Sequence, residues 1–206
     1  MTPLNLDPTL LLLLIACLFI LTFGGLSYMR REGLSAQFAL EAVGVTVLLV
    51  GGASLLAVSL SPFLFLILLY LITMRSRLVV DIANVLAQRG NYSPAFRLYD
   101  LALAWWPDAV TRLIVLANRG AAELRSGQVE AAIRTLEGVL EPAKRHHLGR
   151  NSEAVSRYNL GVAYERRGET TKATQQFHEV VDLAPGSPYA RAAAAALERR
   201  RGKGIK

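Results

Sequence analysis

The side chains best suited to metal ligation or nucleophilic attack are few in this sequence: His146, His147, His178 and the single Cys17. A structural zinc site takes about four Cys or His ligands, and a catalytic one about three protein ligands. His146-His147 stand in Lys144-Arg145-His146-His147-Leu148-Gly149-Arg150 with no third ligand beside them, so they read as a solvated basic loop. His178-Glu179 reads as helix surface. No HExxH, CxxC, nucleophile elbow or phosphate-binding glycine loop occurs. One cysteine excludes a disulfide within the chain and a cysteine-based metal site. It falls in an apolar run, where a thiol serves as inert packing. These residues point away from an enzyme and imply no metal or cofactor.

The elements around them are more informative. Residues 42–74, between Glu41 and Arg75, make 33 positions without a charge. As one helix they would extend about 50 Å against a hydrocarbon core of about 30 Å, so one span cannot use them all. Ser59-Leu60-Ser61-Pro62 interrupts the run: Ser61 can cap a helix, and Pro62 suits its first position. The pattern predicts an all-α chain with a short N-terminal tail, 1–9, and three membrane helices. These are Leu10–Met29, Gln37–Leu60 and Pro62–Val80. No Pro or Gly lies between Pro62 and Gly90, so the third span is expected to run unbroken into the next helix. Gly24-Gly25, Gly44, Gly51 and Gly52 would permit close approach between spans. A two-span alternative has one kinked helix around Val50–Met74 and Ser35–Leu49 lying at the interface.

Charge divides the chain in two. Of 23 basic and 16 acidic residues, only Arg30, Arg31, Asp7, Glu32 and Glu41 precede Arg75. The rest forms a cationic region of about 130 residues, long enough for its own core. Met1–Asp7 carries no Lys or Arg, unlike a secretory leader, so an uncleaved first helix with its N-terminus outside is expected. Arg30-Arg31, Arg75 and Arg77 then face the cytoplasm. The Arg-rich, Lys-poor composition suggests a bacterial inner membrane. Glu41 reads as interfacial, with no partner charge in another span.

The second half repeats. Counted as a 34-residue unit from Ala154, it places Leu160 and Gly161 at positions 7 and 8. Tyr164, Gly168, Ala173, Phe177 and Pro185 follow at positions 11, 15, 20, 24 and 32. This segment resembles a tetratricopeptide repeat, with Arg157 in place of the usual tryptophan at position 4. A weaker copy from Leu113 has Gly120, Gly127, Ala132 and Leu136 in register, while Arg119 and Glu123 depart from the pattern. Another begins near Ser76, with Ile82, Ala83, Leu86, Gly90, Ala95, Tyr99, Ala102 and Pro107. The resemblance implies three helical hairpins, at 76–109, 113–146 and 154–187, stacked as an α-solenoid. A capping helix at 188–201 and a basic tail at 202–206 complete it. Extra residues are expected in loops around Asp108–Arg112 and Glu141–Asn151. Trp105-Trp106 is expected to pack on the following hairpin.

The resemblance further implies a concave groove that binds a protein or peptide partner. Its lining would include Asn84, Asn118, Ala121, Arg125, Tyr158, Asn159, Val162 and Arg166. Asn118 and Asn159 share position 6, where an amide offers both donor and acceptor to a peptide backbone. The carboxylate clamp of chaperone-tail receptors is disfavoured, because Val80, Val155 and Asn159 stand where cations are required. Arg199, Arg200, Arg201, Lys203 and Lys206 could touch an anionic surface, with a solvated tail as the default. A nucleic-acid partner is disfavoured, and homo-oligomerisation stays open. The sequence thus points to a non-enzymatic, membrane-anchored adapter or scaffold. An accessory subunit of a larger membrane complex, held mainly by its spans, is the alternative.

Overall fold

The computed structural model describes residues 7–29, 36–146 and 148–203, with side chains at all of these except 27–29, 142–146, 202 and 203. Ten helices and no strand occur among them. Three form the N-terminal part: α1 (Pro8–Met29), α2 (Ala36–Leu55) and α3 (Pro62–Thr73). Each buries one stripe at helical spacing. Leu12, Ala16 and Phe19 of α1 meet Ala42, Thr46 and Val50 of α2 and Phe65 and Leu69 of α3. Thr46 spends its hydroxyl on the Ala42 carbonyl at 2.7 Å, so this apolar core holds no stranded donor there. The outward faces are equally apolar, with Leu18, Leu21, Leu40, Val47 and Leu48 exposed. An apolar surface of that extent is what lipid, rather than water, would cover.

Helices α1 and α2 are each long and apolar enough to cross a membrane. Helix α3, at 12 residues, is only about 18 Å long and falls short by itself. It passes the same test only together with α4 (Arg75–Gln88), and the two are bent by 69°. The expected unbroken helix is therefore absent. The break falls at Met74 without Pro or Gly, and side chains beside it bond carbonyls of the last turn. Thr73 donates to Leu69 O at 2.6 Å and Arg75 to Ile72 O at 2.8 Å. Helix α2 also ends earlier than expected, at Leu55, with Ala57 in the left-handed region at φ 52°. Ser61 occupies the N-cap position of α3, and Pro62 follows, but the serine side chain makes no capping bond. Of the five membrane glycines Gly24 is buried, whereas Gly25, Gly44, Gly51 and Gly52 have nothing within 4 Å of an added Cβ. These four do not mediate close packing between the helices. Cys17 is exposed on the outer side of α1 rather than packed.

The remainder pairs its helices in chain order. Helix α4 packs on α5 (Tyr92–Ala104), α6 (Ala109–Arg125) on α7 (Val129–His146), and α8 (Arg150–Arg167) on α9 (Thr170–Leu183). First helices also touch in sequence, α4 with α6 and α6 with α8, while α10 (Pro188–Lys203) lies on α9 and α8. Each pair turns at a glycine in the left-handed region: Gly90, Gly127 and Gly168, with φ of 80°, 86° and 87°. Small residues face large ones inside each pair. A Cβ on Gly161 would lie 2.7 Å from the Phe177 ring, and one on Gly120 would lie 2.8 Å from Leu136.

The expected insertions lengthen helices rather than loops. Asp108 accepts from Val110 N and Thr111 N, both at 3.1 Å, and so starts α6 at Ala109. Helix α7 likewise continues to His146.

Candidate partner-binding groove

A cavity of about 390 Å³ runs across the first helices of the three pairs. Helix α4 contributes Asn84 and Gln88. Helix α6 contributes Ile114, Ala117, Asn118, Ala121 and Arg125. Ser152, Val155 and Asn159 come from α8, and Tyr189 from α10. Five of the eight residues expected to line a groove are therefore gathered in one place: Asn84, Asn118, Ala121, Arg125 and Asn159. The other three lie elsewhere. Tyr158 sits between the rings of Phe177 and Tyr189, with centroids 5.9 and 5.8 Å away. Val162 packs against the core. Arg166 donates to Leu124 O at 2.7 Å, tying the end of α8 to that of α6.

The amides differ in what they leave available. Asn118 donates its Nδ2 to Ile114 O at 2.8 Å, so its Oδ1 remains an acceptor. Asn84 accepts from the Tyr99 hydroxyl at 2.7 Å, which leaves its NH₂ as a donor. Asn159 makes no side-chain hydrogen bond among the described residues, so both its functions are open. Arg125 is the one charged residue in the lining. Together these groups present donors, acceptors and a single cation over a mixed floor, in which Gln88 and Ser152 stand beside Ile114, Ala117, Ala121 and Val155. That chemistry suits an extended backbone carrying a carboxylate. Gln88, Ile114, Ala117, Ser152 and Tyr189 were not among the residues expected there, and Val155 was read only as a departure from the carboxylate clamp. Tyr189 belongs to a helix read only as a cap, and its alanine-rich surroundings gave no signal that it would reach the groove.

Burial pushes the Tyr99 phenol from 10.0 up to about 12, with Arg125 pulling slightly the other way. Tyr164 is pushed up further, first by burial and then by its hydrogen bond to Glu137. Both hydroxyls are structural donors at neutral pH.

Positions that departed from the repeat pattern carry ion pairs. Arg157 binds Glu153 at 2.7 Å and also Glu179. Arg119 binds Glu123 at 3.0 Å and also Asp100. Glu123 is 5% exposed, and its Oε2 has no partner among the described residues.

The basic end is not uniformly free. Arg200 binds Glu165 at 3.1 Å and Thr174 at 2.7 Å, and lies over the Phe177 ring. It pins α10 in place and is withdrawn from the set expected to meet an anionic surface. Arg199 and Arg201 are exposed. The Lys203 side chain, Lys206 and His147 lie outside the described residues, as does the His146 side chain. Among the described residues no cluster of His, Cys, Asp or Glu could hold a metal ion.

Glu41, read as lacking a partner, is paired with Arg75 at 2.7 Å. Trp105 and Trp106, expected to pack on the next hairpin, are exposed instead, Trp106 to 84%. Their carbonyls accept from Arg75 and Gln37, each at 2.9 Å. No protein-family model matches this sequence, and neither curated proteins nor solved structures give a match. Fold and site define an all-helical protein with two helices, or three if the bent pair counts as one, fit to cross a membrane.

Proposed function

We propose that the chain is a non-enzymatic membrane-anchored adapter of tetratricopeptide-repeat type, whose groove holds an extended segment of a partner protein. The observation that carries this reading is the convergence of Asn84, Asn118 and Asn159 on one cavity with complementary bonding capacity left over. Side-by-side helix pairs with glycine turns and small–large contacts support the repeat assignment. The anchor is α1, α2 and the apolar segment from Pro62 to the bend at Met74 as a third crossing, with the N-terminus outside and the helix pairs, from α4 onward, on the cytoplasmic face of a bacterial inner membrane. The Arg residues at 30, 31, 75 and 77 support that orientation.

Quantitative mass spectrometry of the tagged protein from cross-linked membranes tests the groove. Wild type is compared with the Asn118→Ala/Asn159→Ala variant. Losing one net hydrogen bond at each amide, about 1 kcal/mol apiece, lowers the groove-bound partner about tenfold or more. A partner held equally by both proteins rules the groove out as the recruiting site.

The second reading, an accessory subunit held by its spans, has one observation in its favour. Gly44, Gly51 and Gly52 face open space, and so remain available to a helix of another chain. That partner would be the one the double variant retains.

A further inference from the structure

Where the membrane helices meet the first helix pair there is a second cavity, of about 270 Å³. One wall is apolar: Ile20 and Phe23 from α1, Phe38 from α2 and Met74 at the bend. The other wall is polar and carries Arg75, Arg77, Glu41 and Asp108. Both carboxylates are already occupied. Glu41 accepts from Arg75 with both oxygens, at 2.7 and 3.3 Å, and from Gln37 at 3.1 Å. Asp108 caps α6 and takes the Thr111 hydroxyl at 2.7 Å. Arg75 is committed to Glu41 and to the Ile72 and Trp105 carbonyls. Arg77 differs, since its only hydrogen bond among the described residues is a long 3.4 Å one from Nε to Thr111 Oγ1. Its two terminal nitrogens have no acceptor among the described residues.

We propose that this cavity binds the phosphodiester of an anionic phospholipid. Arg77 holds the phosphate through its terminal nitrogens, whose planar fork matches two phosphate oxygens. At about 30 Å³ per water, the cavity has room for about nine waters, enough for a headgroup but not for acyl chains. The chains leave along the exposed leucines of α1 and α2. Trp106 flanks the entrance with its ring in the open and its backbone in the left-handed region at φ 47°. A bulky non-glycine residue is rarely found there. The Gln37 bond to its carbonyl holds it in that conformation, and an indole at that height suits the headgroup layer. Arg75 and Glu41 neutralise each other and Asp108 is spent on the start of α6, which leaves Arg77 as the charged group with donors to offer an anionic headgroup.

The test is native mass spectrometry of the full-length protein released from micelles after addition of dioleoylphosphatidylglycerol, dioleoylphosphatidylcholine or inorganic phosphate. Wild type is expected to keep phosphatidylglycerol preferentially. Arg77→Gln lowers that retention about tenfold, the worth of one charge-assisted hydrogen bond. Ala36→Trp, at an exposed position in the lining, lowers it by blocking the entrance while leaving Arg77 in place. Arg134→Gln, on the exposed side of α7, changes nothing. Helix content measured by circular dichroism checks that each variant folds. Equal retention of the two lipids, displacement by inorganic phosphate, or full retention by both cavity variants overturns the proposal.

Discussion

Gly161 and Gly120 occupy equivalent places, yet their neighbours differ in the freedom they have to move. The ring beside Gly161 belongs to Phe177, fully buried and flanked by Tyr158 and Arg200. Beside Gly120 is Leu136, equally buried but an aliphatic chain rather than a rigid ring. Alanine in a helix gains about 0.5–1 kcal/mol over glycine, whereas overpacking a core costs about 1–3 kcal/mol. At Gly161 the clash wins, and Gly161→Ala should lower the thermal midpoint in detergent. At Gly120 the clash with the buried Leu136 Cγ also costs, but an aliphatic chain yields more readily than a ring, so Gly120→Ala should lower the midpoint less than Gly161→Ala does. Equal losses at the two sites would mean that the facing side chain does not set the cost. These contacts were legible in the sequence because small and large residues recur at fixed spacing. The ion pairs of Arg157 and Arg119 were not, because their acidic partners include residues of other helices, Glu179 and Asp100.

Among the elements, the pair α4/α5 is closed by a single polar contact inside an apolar interface, the Tyr99 hydroxyl on Asn84. Burial is the largest cause raising the Tyr99 phenol from 10.0 to about 12. A raised pKa on a neutral acid means the fold prefers the protonated form. The contribution of Tyr99 is therefore complete below pH 10 and disappears as pH rises through 12. Tyr99→Phe should cost about 1 kcal/mol at pH 8 through the lost hydrogen bond. The gap to wild type should narrow or reverse between pH 10 and 12, because phenylalanine has no proton to lose. Thermal unfolding of both proteins at pH 8, 10 and 11.5 reads this directly, and a gap constant with pH would place the Tyr99 hydroxyl in water. Helix ends were the part of the fold that sequence conveyed least. The glycine turns were visible. The end of α3 was not, because no Pro or Gly marks it.

At the scale of the whole molecule, the attitude of the helix pairs to the apolar helices depends on a few bonds beside the 69° bend. Arg75 joins three elements, donating to Glu41 on α2, to Ile72 O on α3 and to Trp105 O after α5. Gln37 adds a bond to Trp106 O. The Glu41–Arg75 pair is about a third exposed, so its Coulomb attraction alone is worth little, about 0–1 kcal/mol. The hydrogen bonds from a charged donor to carbonyls weigh more, about 1.5–3 kcal/mol each. Arg75→Ala removes them all and leaves Glu41 in an apolar helix without its cation. A loss of about 2 kcal/mol changes the ratio of docked to undocked arrangements about thirtyfold. Spin labels at Leu48 on α2 and Arg97 on α5, both exposed, with Cys17 replaced by alanine, report that ratio as a distance distribution. Wild type should give one narrow distance and Arg75→Ala a broad one. Glu41→Gln, which still offers Arg75 an acceptor, should fall between them. If Arg75→Ala stays narrow, the apolar contacts of α3 with α4 hold the attitude without the arginine.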